Sequence, residues 1–69
     1  MEKDNIIGAN VRLARVKKGM TQVELAEKAG VALSTVSFVE TGRHAASRAL
    51  TLSKLANALG VSVESLLQA

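Results

Sequence analysis

The sequence predicts an all-α domain, a compact bundle of five short helices. Apolar residues recur at intervals of three and four positions in five segments, and glycines or capping residues separate these segments. No segment has the composition expected of a strand. The 69 residues suffice for one domain, 1–69, with a modest core over residues 6–67. Because Trp and Tyr are absent and Phe occurs once, we expect that core to be aliphatic.

The first helix is predicted from about Asn5 to Lys18. Either Asp4 or Asn5 can cap its first turn, and Gly19 ends it. Its apolar face consists of Ile7, Val11 and Ala14.

The second helix is predicted from about Gln22 to Ala29. Thr21 and Glu24 have the spacing of a capping box, in which each side chain binds a backbone amide at the start of the helix. Gly30 follows, and a glycine adopts the left-handed conformation of a tight turn without steric cost.

The third helix is predicted from about Leu33 to Thr41, ahead of Gly42. It begins without a capping side chain, because Ala32 stands before it. Ala26 is small where the second and third helices would cross closely. Residues 21–42 therefore predict a helix-turn-helix, whose second helix can enter the major groove of DNA.

Two further helices complete the bundle. Ser47 can cap a fourth helix that ends at Gly60, and Ser62 can cap a short fifth helix. The apolar positions that keep the helical period are Leu52, Leu55, Ala56 and Leu59, then Val63, Leu66 and Leu67.

Charge is distributed unevenly along the chain. Residues 12–48 contain seven basic and three acidic side chains, a local charge of +4, and the rest of the chain is nearly neutral. A basic surface suits a polyanion such as DNA. The chain has no Cys and one His, so we expect no enzyme activity, no cofactor and no metal site. No apolar run reaches membrane-spanning length and the N-terminus is too polar for a signal peptide, which favours the cytoplasm.

Four motifs occur at a characteristic spacing: TQ-x-ELA from Thr21, GV from Gly30, S-x-x-E-x-G from Ser37 and LA-x-ALGVS from Leu55. With them the chain resembles the lambda Cro/C1-type helix-turn-helix family, also called the Xre family, over residues 6–67. The resemblance implies a lambda repressor-like DNA-binding domain. In that family the second helix crosses the phosphate backbone, the third lies in the major groove, and most members bind pseudo-palindromic operators as dimers.

Candidate base-contacting residues follow from stepping about 100° per residue along the third helix from a buried Val36. The residues expected to face the groove are Leu33, Ser34, Ser37 and Phe38. The same projection turns four residues toward the interior: Ala32, Leu33, Val39 and Glu40. Serine hydroxyls bind most base edges, and apolar side chains contact thymine methyl groups. Alternatively, Phe38 packs on the protein surface or on a neighbouring subunit, and the serines are solvated or bond back to the helix backbone.

Candidate backbone-contacting residues surround that helix. The amide of Gln22 can reach a phosphate beside the helix N-terminus, and the family places a backbone-contacting Gln there. The other candidates are Thr21, Thr35, Thr41, Arg43, His44, Arg48, Asn10 and Arg12. The alternative for each is a solvated polar surface.

Two further pairs have proposed structural roles. The resemblance implies an ion pair between Arg15 and Glu40, which would fix the angle of the third helix. Leu66 and Leu67 are adjacent, so one helix cannot easily bury both, and we expect a dimer surface there. The alternative is that both pack inside a monomer.

Together these observations predict a sequence-specific transcriptional regulator, a repressor of phage, plasmid or restriction-system type. Its expected partners are a double-stranded DNA operator and a second copy of the chain, with no membrane and no small-molecule ligand in this domain. The alternatives are an antitoxin that autoregulates its operon, which would also bind a toxin protein, and a pure interaction module.

Overall fold

A computed structural model of the chain describes residues 2–42 and 49–68, with side chains from residue 5 onward. Its helices, in chain order, are α1 (Glu2–Lys17), α2 (Gln22–Ala29), α3 (Leu33–Glu40), α4 (Ala49–Leu59) and α5 (Val63–Leu67). The predicted all-α fold is confirmed. Within the described ranges, no helix combines the length and the apolar character needed to cross a membrane.

Helix α1 begins at Glu2, earlier than the sequence indicated. Asp4 and Asn5 therefore lie inside the helix, and their predicted capping role is wrong. In the first turns of α1, Asn5 packs closely against Gly42 beyond the end of α3. The pattern of apolar residues in neither segment indicates a contact between residues so far apart in sequence.

Helix α2 has the predicted bounds, and its capping box is formed. The Glu24 backbone amide donates to Thr21 Oγ1 at 3.0 Å, and the Thr21 amide donates to Glu24 Oε1 at 2.8 Å. Gly30 follows with φ of 72° and ψ of 35°, the left-handed conformation expected of it. The next amide, that of Val31, donates to the Ala26 carbonyl at 3.0 Å and closes the turn.

The remaining helix ends agree with the sequence where the structure describes them. Ala32 precedes α3 and provides no side-chain cap, as predicted. Ser62 caps α5, since its hydroxyl oxygen accepts the Ser65 amide at 3.1 Å. The cap predicted for α4, Ser47, lies outside the described residues.

The core is aliphatic, as the composition indicated. Helix α1 packs against α3, α4 and α5, and α2 packs against α3 and α4. The buried apolar residues are Ile7, Val11, Leu25, Ala26, Val36, Val39, Leu52, Leu55, Ala56, Ala58, Leu59 and Leu66. Within α3 the buried residues are Val36 and Val39, which attach one face of the helix to the core.

Gly8 is buried where α1 crosses the end of α3. A β-carbon at this position would collide with the carbonyl oxygen of Val39 and lie 3.0 Å from that of Glu40. Both neighbouring atoms are backbone, so no side chain can move aside. The close approach of α1 to α3 therefore depends on the missing side chain of Gly8.

We expect Gly8→Ala to destabilise the domain by about 1–3 kcal/mol, as overpacking does. The direction of the stability change is informative, because replacing Gly by Ala at an exposed position inside a helix stabilises that helix by about 1 kcal/mol. Urea unfolding followed by circular dichroism measures the difference. Ser53→Ala on the exposed face of α4 is the control and should stay within about 0.5 kcal/mol of the parent. A Gly8→Ala variant more stable than the parent would contradict the packing described above.

Candidate nucleic-acid interface

A single carboxylate, that of Glu40, lies behind α3 and receives three hydrogen bonds. Arg15 Nε donates to its Oε2 at 2.7 Å, and Arg15 Nη2 donates to its Oε1 at 3.1 Å. The amide nitrogen of Gln22 donates to Oε1 as well, at 3.0 Å. Since Arg15 belongs to α1 and Gln22 to α2, this carboxylate connects three helices.

The Arg15–Glu40 ion pair is largely shielded from water. The two side chains are 13% and 4% exposed, and the two bonds from Arg15 are bidentate. A third bond from Arg15, Nη1 to the Met20 carbonyl at 2.7 Å, fixes the segment before α2. The hydrogen bond to Glu40 raises the pKa of Arg15 above its usual value although burial opposes this, so the guanidinium stays charged in any physiological buffer.

The outward face of α3 carries the side chains that the sequence assigned to base contact. Leu33 is 47% exposed and Phe38 is 38% exposed, and Ser34 is exposed between them. Ser37 and the flanking Thr35 are half-buried. This part of the molecule therefore presents hydroxyl and apolar groups together on one helix.

The projection along α3 was wrong at the start of the helix. Ala32 and Leu33 were expected toward the interior, yet both are exposed, whereas Val39 and the Glu40 side chain are buried as expected. Ala32 has φ of −70° and ψ of 149°, an extended conformation, so it does not follow the helical step. Leu33 is the first residue of α3.

The start of α2 offers hydrogen-bond donors next to this face. Gln22 uses one amide hydrogen on Glu40, which leaves its second amide hydrogen for another acceptor. The Thr21 hydroxyl accepts from the Glu24 amide and keeps its own proton. Sequence reasoning missed the bond between Gln22 and Glu40, because nothing in the spacing of residues 18 positions apart predicts it.

Two other backbone-contact candidates use their donors within the protein. The Thr41 hydroxyl donates to the carbonyls of Ser37 at 3.0 Å or Phe38 at 3.1 Å. The Asn10 amide donates to the carbonyls of Leu66 at 2.9 Å and Gln68 at 2.6 Å, near the end of α5. In this structure neither side chain has a hydrogen left to donate to a phosphate, and the predicted phosphate contact of each stays a prediction.

The remaining candidates are placed as follows. Arg12 is exposed on α1 and lines a groove of about 470 Å³ that also reaches Glu40 and Thr41 at the end of α3. The predicted contacts of Arg43, His44 and Arg48 lie outside the described residues.

The structure separates the two leucines assigned to a dimer surface. Leu66 is 2% exposed and belongs to the core, so its assignment to an interface is wrong. Leu67 is 47% exposed. Adjacent residues of a helix point in directions about 100° apart, so α5 buries one of the two leucines and exposes the other.

A capped α2, a glycine turn and an α3 exposed along its outer face define a helix-turn-helix domain. The family model described as helix-turn-helix, HTH_3, matches residues 11–66, and the chain belongs to this family, the Xre or Cro/C1 type. It is a transcriptional regulator of the helix-turn-helix type.

Known proteins similar to this chain include both sequences and solved structures. An uncharacterized HTH-type transcriptional regulator of Sinorhizobium fredii is 37% identical over 62 residues, which cover 90% of this chain and 79% of that protein. The restriction-modification controller protein C.AhdI from Aeromonas hydrophila superimposes with a TM-score of 0.89 at 30% identity, covering 96% of this chain and 98% of that one.

A third similar protein was solved with nucleic acid. SinR, described as the master regulator for biofilm formation and crystallised in complex with DNA, superimposes with a TM-score of 0.84 at 40% identity. The match covers 90% of this chain and 98% of that one.

We expect Glu40→Ala to lower the free energy of unfolding by roughly 3 kcal/mol, because it leaves the shielded Arg15 guanidinium without its anion. The matched control is Glu27→Ala, which removes an exposed carboxylate from α2 and should change little. Thermal unfolding of the two variants compares them directly. Equal melting temperatures would show that the carboxylate of Glu40 does not hold the helices together.

Proposed function

We propose that this regulator binds double-stranded DNA sequence-specifically through α3 in the major groove, and that it is a repressor of phage, plasmid or restriction-system type. The observation that carries the proposal is the exposure of Leu33, Ser34 and Phe38 on a helix fixed from behind by Glu40. The similarity of the chain to SinR, which was solved in complex with DNA, and to the restriction-modification controller protein supports the same conclusion.

The outward face of α3 suits a particular kind of base readout. The hydroxyls of Ser34 and Ser37 can donate to or accept from base edges, and Leu33 and Phe38 can pack on thymine methyl groups. This face lacks the bidentate Arg, Asn and Gln side chains that give the strongest single-base discrimination. We therefore propose that the operator is recognised through several modest contacts.

Phosphate contacts would come from the start of α2. The second amide hydrogen of Gln22, the Thr21 hydroxyl proton and the unbonded amides of the first turn can all donate to one anion. Thr35 and Arg12 are further candidates on the two neighbouring helices. The basic residues that follow α3 in the sequence, Arg43, His44 and Arg48, would add to the attraction.

We also propose that the protein acts as a homodimer on a pseudo-palindromic operator. A single module of this size buries too little surface on DNA for high specific affinity, and two copies that read two half-sites overcome that limit. Leu67 provides exposed apolar surface on α5, a helix that packs against α1 and α4.

DNA binding of this kind should depend steeply on salt. We expect the association constant for an operator selected from random DNA to fall by orders of magnitude between about 50 and 200 mM salt, because phosphate contacts release counterions. Fluorescence anisotropy with labelled duplexes measures it. An association constant that does not change with salt would count against an interface that contains phosphate contacts.

Two substitutions distinguish contacts with the DNA bases from contacts with the DNA phosphates. We expect Phe38→Ala to reduce discrimination between the operator and random DNA by about 1–3 kcal/mol. Gln22→Ala should weaken binding to both duplexes alike, by about 1 kcal/mol, because phosphates are the same in every sequence. Ser53→Ala on α4 is the control. A Phe38→Ala variant that keeps full discrimination would exclude this side chain from base readout.

A further inference from the structure

The outer side of α1 carries apolar residues at a regular spacing. They recur at intervals of three and four positions and form what we call the α1 seam: Ile6, Ala9, Leu13 and Val16. Leu13 and Val16 are each 56% exposed, and Ala9 is exposed as well. Ile6 is half-buried. This spacing is that of the a and d positions of a heptad, on which a second helix packs in a coiled coil.

The α1 seam is separate from the face that α1 buries inside the domain. Ile7 and Val11 belong to the buried core. Val11 and Leu13 are two positions apart, so they point in directions about 160° apart around the helix. A helix that packs on one side only normally carries polar residues on the other side. The fold therefore does not account for the apolar residues of the seam.

A groove lies on each side of the seam. Near the end of α3, a groove of about 470 Å³ is lined by Leu13 and Val16 together with Arg12. Beside α5, a groove of about 300 Å³ is lined by Leu13 and Lys17. Leu13 thus forms a ridge between two grooves, and a ridge between grooves is the surface on which the side-chain rows of another helix pack.

Both flanks of the seam are basic. Arg12 occupies the g position of its heptad and Lys17 the e position, and these positions determine the choice of partner in a coiled coil. Both side chains are exposed, and neither forms an ion pair with a described residue. Residues 5–17 contain no acidic side chain. The carboxylate in the neighbouring groove, that of Glu40, is already paired with Arg15.

This charge pattern disfavours a second copy of the chain as the occupant of the seam. In a parallel pair of helices, each g residue faces the following e residue of the partner, which would bring Arg12 against Lys17. In an antiparallel pair, Arg12 would face Arg12 and Lys17 would face Lys17. Both arrangements oppose like charges, which destabilises the contact. The basic flanks instead complement an acidic helix.

We propose that the α1 seam binds an amphipathic helix of another protein, one with apolar residues at its a and d positions and Asp or Glu at its e and g positions. The acidic side chains pair with Arg12 and Lys17, and the apolar ones pack on both sides of Leu13. From Ile6 to Val16 the seam is about 15 Å long, so about two heptads of the partner cover it. This site requires neither the proposed DNA binding nor the proposed homodimer.

A pair of synthetic peptides tests the proposal. Each is about three heptads long with Ile at a and Leu at d, and the acidic peptide has Glu at every e and g position where the basic peptide has Lys. We expect the acidic peptide to bind about tenfold more tightly, because the basic peptide opposes like charges to Arg12 and Lys17. Isothermal titration calorimetry at low salt measures both dissociation constants.

Truncation of the ridge tests whether the peptide occupies the seam. Leu13→Ala should weaken binding of the acidic peptide about tenfold, because the peptide loses its central apolar contact. The matched control is Leu50→Ala, which truncates a leucine that is 69% exposed on α4 and should bind as the parent does. Both positions are exposed, and circular dichroism checks that each variant is folded.

Charge reversal tests the flanks independently. The double variant Arg12→Glu, Lys17→Glu should prefer the basic peptide to the acidic one, since the complementary charges are exchanged. The control Lys28→Glu, Lys54→Glu makes the same change in net charge at exposed positions of α2 and α4. It should keep the preference of the parent for the acidic peptide.

Three results would overturn the proposal. The first is equal affinity of the parent for the two peptides, and the second is parental affinity of Leu13→Ala for the acidic peptide. The third is self-association of the parent that Leu13→Ala abolishes and Leu67→Ala leaves intact, because a second copy would then occupy the seam. Sedimentation velocity measures this self-association over a range of protein concentrations.

Discussion

The orientation of α3 depends on the carboxylate of Glu40. This helix has eight residues and no side-chain cap at its start, and an isolated helix of that length is marginal in water. Its fixed position must therefore come from tertiary contacts. Val36 and Val39 attach one face to the core, and Glu40 connects the end of the helix to Arg15 of α1 and Gln22 of α2.

This way of holding α3 leaves its outer face available for function. The buried residues Val36 and Val39 and the carboxylate of Glu40 lie on the inner side of α3, whereas Ser34 is exposed and Phe38 is 38% exposed. The side chains proposed to read DNA can then differ between related regulators without loss of the framework. Glu40 also links two parts of the proposed interface, because Gln22 is bound to it while keeping a second amide hydrogen for a phosphate.

Helix α1 fixes both α3 and the end of α5. Its inner face packs on α3 so closely that only a glycine fits at position 8, and its Asn10 fixes the end of α5. Its outer face carries Leu13 and Lys17, which are both exposed.

The sequence by itself determined the features that depend on neighbouring residues. The capping box of Thr21 and Glu24, the left-handed Gly30 and the start of α5 at Ser62 are local, because each involves residues within a few positions of one another. The aliphatic core followed from composition and period, since a helix repeats its buried face every three to four residues.

Only the tertiary structure decided the features that join distant segments. The contact of Asn5 with Gly42 joins the two ends of the first forty residues, and the need for Gly8 depends on the backbone of α3. The donors of Gln22 and Asn10 are bound to groups 18 and 56 or more positions away. Which of two adjacent leucines was buried depended on how α5 packs against α1 and α4, and no local pattern contains that angle.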